Sequence, residues 1–245
     1  MKIIVVSNYD EMSKKAAEFI AQEIKNKSNP VLGLATGGTP LGAYKELIQM
    51  HKKGELDFAG VRTFNLDEYL GLKPNDKNSY NFFMWDNLFK HVNLLPDNVQ
   101  IPKGDSDNPA KFCKWYEDKI KQAGGIDLQL LGIGRDGHIA FNEPGSSFDS
   151  RTRVVDLSQE TIEDNARFFA KQEEVPRQAI TMGVGTILEA KKILLVANGA
   201  NKAEVCAKFI EGSPTEEISA SALQRHKDVT VILDKQSAVK LKRKK

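Results

Sequence analysis

The chain has 245 residues, and its 35 lysines and arginines nearly balance 33 aspartates and glutamates, which leaves a formal net charge of +2. This balance argues against nucleic acid as a partner, since such binding normally needs a basic field, and the length suits a single domain covering residues 1–245. Cys113 and Cys206 belong to no C-x-x-C or His/Cys cluster, so neither a disulfide framework nor a metal site is indicated.

Short apolar runs rich in β-branched residues alternate with amphipathic stretches along the chain. The predicted strands are Lys2–Val6, Val31–Ala35, Val61–Leu66, Leu128–Ile133, Lys192–Ala197 and Val229–Leu233. The predicted helices are one with Met12, Ala16, Phe19, Ile20 and Ile24 on a single stripe, then Leu41–Lys52, Ser79–Phe89, Pro109–Ala123, Glu160–Phe169, Val184–Glu189 and Lys202–Ile210. This alternation predicts an α/β fold with an open, mostly parallel, Rossmann-like sheet and helices on both faces.

The ends of the chain carry no targeting or membrane signal. The apolar run after Met1 and Lys2 is too short for a signal peptide, and no later run approaches the length of a membrane span. The lysine-rich residues 240–245 are expected to form a solvated tail. We therefore expect a cytoplasmic protein with no membrane partner.

The segment from Thr36 to Pro40, T-G-G-T-P, follows a predicted strand, where open α/β sheets bind their ligands. Gly37 and Gly38 let backbone N–H groups approach a ligand, and Thr39 is expected to cap a helix that has Pro40 at its first position. These features predict a phosphate site. A strand-to-helix turn with ordinary capping fits the same residues equally well.

A second predicted loop, Asp67-Glu68-Tyr69, follows the strand at residues 61–66. A carboxylate in this position can have its pKa tuned and can act as a general base. Adjacent side chains point in different directions, so we do not expect Asp67 and Glu68 to form one dyad. Taken alone, a structural capping carboxylate is the simpler interpretation.

The segment 132–145 places Asp136, His138, Asn142 and Glu143 among glycines, directly after an apolar strand. No packing requirement explains this mixture, and a histidine beside a carboxylate can carry protons near neutral pH. We interpret the segment as an acid–base site. Its G-x-G-x-x-G spacing also matches a dinucleotide-binding motif, but the segment leads into a loop where that motif needs a helix, and Asp136 would repel a pyrophosphate.

Lys202 lies in a fourth segment, residues 198–202, between a predicted strand and a predicted helix. A cation at the start of a helix is unfavourable for the helix alone, and a bound anion would remove this conflict. Arg167 is a second candidate partner for a phosphate, although a surface arginine is the simpler interpretation.

Three motifs closely resemble those of the glucosamine-6-phosphate deaminase family: T-G-G-T-P at 36–40, F-N-L-D-E-Y at 64–69 and G-R-D-G-H-I-A-F-N-E-P at 134–144. Further matches in the same order extend the resemblance over nearly the whole chain. It implies conversion of glucosamine 6-phosphate and water to fructose 6-phosphate and ammonium, in amino-sugar breakdown, without a metal or an organic cofactor. The nearest alternative, 6-phosphogluconolactonase, shares the D-G-H segment but lacks the A-F-N-E-P continuation.

The resemblance also implies roles for individual residues. Asp67 is the implied base that moves a proton from C2 to C1 of the open-chain sugar, and His138 the residue that opens the sugar ring. Asp136 and Glu143 are implied to complete the proton relay of His138. The implied phosphate-binding residues are Thr36, Gly37, Gly38, Thr39, Arg167 and Lys202. A non-catalytic sugar-phosphate sensor would need the phosphate site but not the acid–base residues.

Some relatives in this family are hexamers activated by N-acetylglucosamine 6-phosphate through basic and hydroxyl residues that follow an S-R-T-R segment. Here Val154, Val155 and Asp156 follow that segment, and an aspartate there would repel a phosphate. The C-terminal extension of those relatives is also missing from this sequence. We therefore expect a monomeric enzyme without allosteric activation.

Overall fold

The computed structural model of the chain describes residues 1–242, so the last three residues of the predicted tail lie outside the described part. The described strands, numbered in chain order, are β1 (Lys2–Val6), β2 (Val31–Leu34), β3 (Arg62–Asn65), β4 (Asp67–Tyr69), β5 (Val99–Gln100), β6 (Leu128–Leu131), β7 (Arg153–Asp156), β8 (Gln178–Thr181), β9 (Lys192–Ala197) and β10 (Val229–Asp234). The described α-helices are α1 (Tyr9–Asn26), α2 (Leu41–Lys52), α3 (Tyr80–Asn87), α4 (Pro109–Gln122), α5 (Gln159–Asn165), α6 (Val184–Leu188) and α7 (Ala203–Glu211). None of these described helices combines the length and the apolar character needed to cross a bilayer.

Seven of the described strands form a parallel sheet, the large sheet, in the order β1-β10-β9-β6-β2-β3-β5. Strands β2, β6 and β10 are buried along their whole lengths, as expected for parallel strands covered on both faces. Helix α1 buries Met12, Ala16, Ile20 and Ile24 of the predicted stripe. These observations confirm the predicted α/β class with a mostly parallel sheet.

A second, antiparallel sheet, the small sheet, has the strand order β4-β8-β7 and was not expected from the sequence. The chain passes from one sheet to the other at Leu66, whose N–H donates to Leu34 on β2 and whose carbonyl accepts from the Met182 N–H just after β8. Asp67 is therefore the first residue of a strand. The predicted loop at residues 67–69 is wrong, because β8 lies far along the chain and supplies a hydrogen-bonding partner that the local sequence does not reveal.

Glu117 on α4 fastens the small sheet to the body of the protein. Its buried carboxylate accepts hydrogen bonds from the Thr152 N–H at 2.9 Å, the Thr152 hydroxyl at 2.5 Å and the Thr186 hydroxyl at 2.6 Å. The Arg151 guanidinium completes its surroundings. Burial opposes the charge of Glu117, but these donors outweigh burial and hold the pKa of Glu117 below its ordinary value.

Two predicted helices and the predicted tail need correction. Helix α5 ends at Asn165, and the rest of the predicted helix is a single 3₁₀ turn at Ala166–Phe168, which tightens the chain after the last α-helical turn. Another 3₁₀ turn, Ala200–Lys202, precedes α7, so the α-helix begins at Ala203, one residue later than predicted. The described part of the tail is only partly solvated, since Leu241 is buried whereas Lys240 and Lys242 are exposed.

Candidate active site

A cavity of about 680 Å³ lies at the carboxyl ends of the large-sheet strands, where β2 and β6 are neighbours and the chain order of the strands reverses. Ligands of open α/β sheets bind at such a switch point. All four segments selected from the sequence contribute to its wall. The lining residues most relevant to chemistry are Tyr9, Thr36, Gly37, Gly38, Thr39, Asp67, Tyr80, Arg135, His138, Asp164, Arg167 and Lys202.

The segment 36–39, which follows β2, presents its backbone to the cavity. Gly37 has a φ of 93°, in the left-handed region that favours glycine. A Cβ atom added at Gly37 or at Gly38 would meet no other atom within 4 Å. Both glycines therefore border open space, which leaves room for a ligand to approach the backbone. An anion suits this position, because the segment leads into the positive end of α2.

The start of α2 differs from the expected cap. Pro40 occupies the N-cap position, so Thr39 lies one residue too early to cap the helix. Tyr9 on α1 replaces the missing partner, because its hydroxyl accepts from the Gly42 N–H at 2.8 Å. The same hydroxyl donates to the Gly38 carbonyl at 3.1 Å. Tyr9 thus holds the glycine segment against the start of the helix.

The cations Lys202 and Arg167 line the same cavity as the segment 36–39. Lys202 is the half-buried N-cap residue of α7. Burial lowers the pKa of its ammonium group below the ordinary value, and the positive end of the helix adds to the cost of its charge. A bound anion would offset both costs. Arg167 projects from the 3₁₀ turn after α5 and is exposed.

Asp67 lies on the cavity wall with only 6% of its surface exposed. Burial and the adjacent charge of Glu68 raise the pKa of Asp67 to about 8, while the charge of His138 acts in the opposite direction. Glu68 points away and accepts three backbone N–H groups, so the two carboxylates form no dyad. These hydrogen bonds, each 2.9 Å long, come from Tyr69, Tyr80 and Asn81.

Two carboxylates face the same ring nitrogen of His138. Its Nδ1 lies 2.7 Å from Asp136 Oδ1 and 3.7 Å from Glu143 Oε2. Burial opposes the imidazolium, but the contact with Asp136 and the charges of both carboxylates outweigh it and raise the pKa of His138 above its ordinary value. A Cβ atom on Gly134 would approach the imidazole ring to 2.4 Å, so this position requires glycine. The cluster can exchange protons near neutral pH.

A tight turn brings His138 and Glu143 together. Ala140, at the centre of the turn, has a φ of 52°, a left-handed conformation that costs about 1–2 kcal/mol for a residue with a Cβ. The buried side chain of Asn142 stabilises it. Asn142 Nδ2 donates to the Ile139 carbonyl at 3.0 Å, and Asn142 Oδ1 accepts from Arg153 at 2.9 Å.

The cluster of Asp136, His138 and Glu143 also has the composition of a metal site, since one ligand atom from each lies within 4.8 Å of the others. However, Asp136 Oδ1 and His138 Nδ1 lie 2.7 Å apart, the distance of a close carboxylate–imidazolium ion pair. Two atoms bound to one zinc ion, each at about 2.1 Å, lie roughly 3 Å or more apart. The arrangement therefore favours an ion pair over a shared metal ion.

Sequence reasoning missed several cavity residues. Tyr80 stacks on Phe141 with ring centroids 5.9 Å apart, and its hydroxyl donates to the Tyr69 hydroxyl at 3.3 Å. Arg135 and Asp164 form an ion pair on the cavity wall. Arg135 stands inside the glycine-rich motif and could have been singled out there, whereas nothing in the sequence marks Asp164 as its partner.

An open parallel sheet with a polar cavity at the carboxyl ends of its strands defines a Rossmann-like α/β protein. The family model described as "Glucosamine-6-phosphate isomerases/6-phosphogluconolactonase" matches residues 7–232. The chain therefore belongs to this family of enzymes. Among curated relatives, the glucosamine-6-phosphate deaminase of Thermoanaerobacter sp. strain X514 is 55% identical over 238 residues, which cover 97% of this chain and 94% of the relative. The glucosamine-6-phosphate deaminase of Clostridium botulinum strain Langeland is 54% identical over 244 residues, which cover 100% of both.

Solved structures with the same fold include a deaminase and a lactonase. One, described as a monomeric glucosamine-6-phosphate deaminase, has a TM-score of 0.97 and 48% identity, over 98% of this chain and 100% of the other. Another, a 6-phosphogluconolactonase from Trypanosoma cruzi, has a TM-score of 0.77 and 26% identity, over 99% of this chain and 97% of the other. The first is thus similar in both sequence and fold, and the second mainly in fold.

Proposed function

We propose that the chain is a glucosamine-6-phosphate deaminase, which converts glucosamine 6-phosphate and water to fructose 6-phosphate and ammonium. The single observation that carries this proposal is the convergence on one cavity of a buried carboxylate, Asp67, a histidine paired with carboxylates, His138, and a glycine segment at a helix start, residues 36–39. A sensor of sugar phosphates would have no use for the first two. The names of the relatives at 54–55% identity support the same reaction.

The phosphate group of the substrate binds at the segment 36–39, with Lys202 and Arg167 as cationic partners. The segment offers backbone N–H groups and threonine hydroxyls at the start of α2, and the two side chains add positive charge. Of the two, Lys202 gives the stronger argument for an anion site, because burial makes its positive charge unfavourable until an anion is bound. These groups fix one end of the sugar and direct C1 and C2 toward the acid–base residues.

His138 opens the pyranose ring in the first chemical step. The imidazole takes the proton of the C1 hydroxyl and returns it to the ring oxygen, so that the C1–O5 bond breaks and a C1 aldehyde forms. Asp136 and Glu143 supply and receive the proton at Nδ1, which keeps the imidazole available in either protonation state.

Asp67 then removes the proton from C2, which the C1 carbonyl has made acidic, and delivers it to C1, while a second proton passes from the amino nitrogen to O1. This leaves an imine at C2, to which water adds, and the C2–N bond breaks to release ammonium and the ketone of fructose 6-phosphate. A pKa near 8 suits a group that must both accept and return a proton near neutral pH. We propose that these side chains act without a metal or an organic cofactor, because the carbonyl of the substrate itself stabilises the developing charge.

Ammonia release from glucosamine 6-phosphate tests this proposal directly, with hydrolysis of 6-phosphogluconolactone measured alongside. We expect ammonia release by the unaltered enzyme and its loss in Asp67→Asn, which removes the base and leaves the segment 36–39 intact. Asp86→Asn is the matched control, since Asp86 is an exposed carboxylate outside the cavity. Lactone hydrolysis without ammonia release would contradict the proposal and would identify the enzyme as a 6-phosphogluconolactonase, the lactonase of the family description.

We further propose that the enzyme is a monomer without allosteric activation. Val154, Val155 and Asp156 lie in β7, and the side chain of Asp156 is exposed and bonded to Gln178 at 2.9 Å, which puts a negative charge where activated relatives need a positive one. The structure at 48% identity is described as monomeric. Sedimentation of the purified chain tests the first statement. A rate curve that is hyperbolic both with and without N-acetylglucosamine 6-phosphate is the result expected for the second.

A further inference from the structure

An ion pair joins the segment 132–145 to helix α5 at the wall of the cavity. Arg135 Nε lies 2.9 Å from Asp164 Oδ2, and Arg135 Nη2 lies 2.5 Å from Asp164 Oδ1, so both carboxylate oxygens are engaged. Glu160, one turn earlier on α5, lies 3.7 Å from the same Nε. Such two-pronged pairs fix orientation as well as distance, because the guanidinium is planar.

The same segment holds the other end of α5 as well. The N–H of Ser158, the N-cap residue of α5, donates to Glu143 Oε1 at 3.1 Å. Asp164 lies in the last turn of α5, where a negative charge is unfavourable for the helix. Helix stability therefore does not explain an aspartate at this position, whereas the ion pair with Arg135 does. Helix α5 is thus attached to the segment 132–145 at both ends.

We propose that the Arg135–Asp164 pair is a positioning tether for substrate binding. It holds the end of α5, and with it Arg167 three residues further on, against the segment that carries His138. This inference rests on the proposed function, in which Arg167 binds the phosphate. Neither residue of the pair needs to touch the reacting atoms.

The alternative role for Arg135, direct binding of the phosphate, fits the geometry less well. Its guanidinium already engages both oxygens of Asp164, and Asp164 itself lines the cavity. An unpaired carboxylate at that place would repel a phosphate. The pairing therefore cancels the charge of Asp164 on the cavity wall. The positive charges that attract the phosphate are then those of Arg167 and Lys202.

Arg135→Ala, Asp164→Ala and the double substitution separate the two roles through steady-state kinetics. If the pair is a tether, both single substitutions raise KM and leave kcat within about twofold. Asp164→Ala raises KM about fivefold, as expected for a partly exposed but two-pronged pair, and Arg135→Ala raises it further because it leaves the Asp164 carboxylate unpaired. The double substitution then has a KM close to that of Asp164→Ala, because the tether is already lost and the unpaired carboxylate is removed as well. A lower KM in Asp164→Ala, with a higher KM in Arg135→Ala, would show instead that Arg135 binds the phosphate and would overturn the tether.

Two measurements that do not depend on turnover accompany the kinetics. We expect weaker binding of inorganic phosphate by about the same factor, and faster tryptic cleavage after the exposed Lys171 at an unchanged melting temperature. Lys90→Ala and Asp86→Ala are the matched controls, since they break an exposed ion pair outside the cavity, and both readouts should stay at the unaltered values. An unaltered enzyme that releases no ammonia would refute the proposed function, whereas unchanged phosphate binding and cleavage in both single variants would refute the tether alone.

Discussion

Replacing Lys202 by alanine is expected to stabilise the unliganded protein and to weaken its binding of phosphate. In the unliganded state the ammonium group sits half-buried at the positive end of α7, where its charge is unfavourable. The helix term alone is worth about 0.3–1 kcal/mol. For a protein of this size, that gain corresponds to a rise in Tm of about 1–3 °C.

Phosphate binding should change in the opposite direction. A hydrogen bond between an ammonium group and a phosphate contributes about 1.5–3 kcal/mol, so its loss weakens affinity roughly 10- to 150-fold. At a phosphate concentration 100 times the original Kd, the ligand stabilises the unaltered protein by about 2.7 kcal/mol. With a 30-fold weaker affinity, only about 0.9 kcal/mol of that stabilisation remains.

Calorimetric melting with and without inorganic phosphate measures both effects in one experiment. Lys208→Ala is the matched control, because Lys208 lies in the last turn of the same helix, where a cation is favourable. That variant should melt at a lower temperature and keep its full response to phosphate. If Lys202→Ala melted lower without phosphate and still responded fully to it, Lys202 would be neither costly at rest nor a phosphate partner.

Three further predictions concern protons and stability. Because only ionised Asp67 accepts a proton, kcat/KM from initial rates should increase about tenfold between pH 7 and pH 9, around the pKa of about 8, and Asp67→Asn should abolish this increase. His138→Gln should slow ring opening more than proton transfer, so an open-chain substrate analogue should recover part of the rate; equal losses on cyclic and open-chain substrates would contradict the assignment. Glu117→Gln should lower the free energy of unfolding in urea by about 1–2 kcal/mol at neutral pH, because Arg151 keeps Glu189 as a partner. The pKa of Glu117 is lowered in the folded state, so this carboxylate stabilises the protein above its unfolded pKa and the difference from the variant should shrink as the pH falls through the folded pKa.

The sequence was sufficient to find four of the segments that line the cavity, because each follows a strand of the large sheet. In a parallel sheet, all such loops lie at the same edge, so the side chains of Asp67, His138 and Lys202 had to come close together once the strands were assigned. The strand assignments depended only on local apolar runs. That is why the large sheet and its cavity could be anticipated from the sequence.

The small sheet and the supports of the site could not be anticipated, since they depend on contacts between distant parts of the chain. Strand β4 is a strand only because β8, more than 100 residues later, pairs with it. Tyr9 reaches the glycine segment from another helix, and Arg135 meets Asp164 across 29 residues. Local periodicity carries no information about such partners. The prediction that Thr39 caps α2 was wrong for the same reason. The partner of the helix start is the Tyr9 hydroxyl, which comes from a different helix.

Because the chain passes from the large sheet to the small sheet at Leu66, the residues of the site are carried by two different sheets. The segment 36–39 and Lys202 follow strands of the large sheet, whereas Asp67 begins a strand of the small one. A change in the packing beneath the small sheet would shift the base relative to a substrate whose phosphate stays in place. With such an architecture, the proposed phosphate site can stay the same in evolution while the reaction at the other end of the substrate changes.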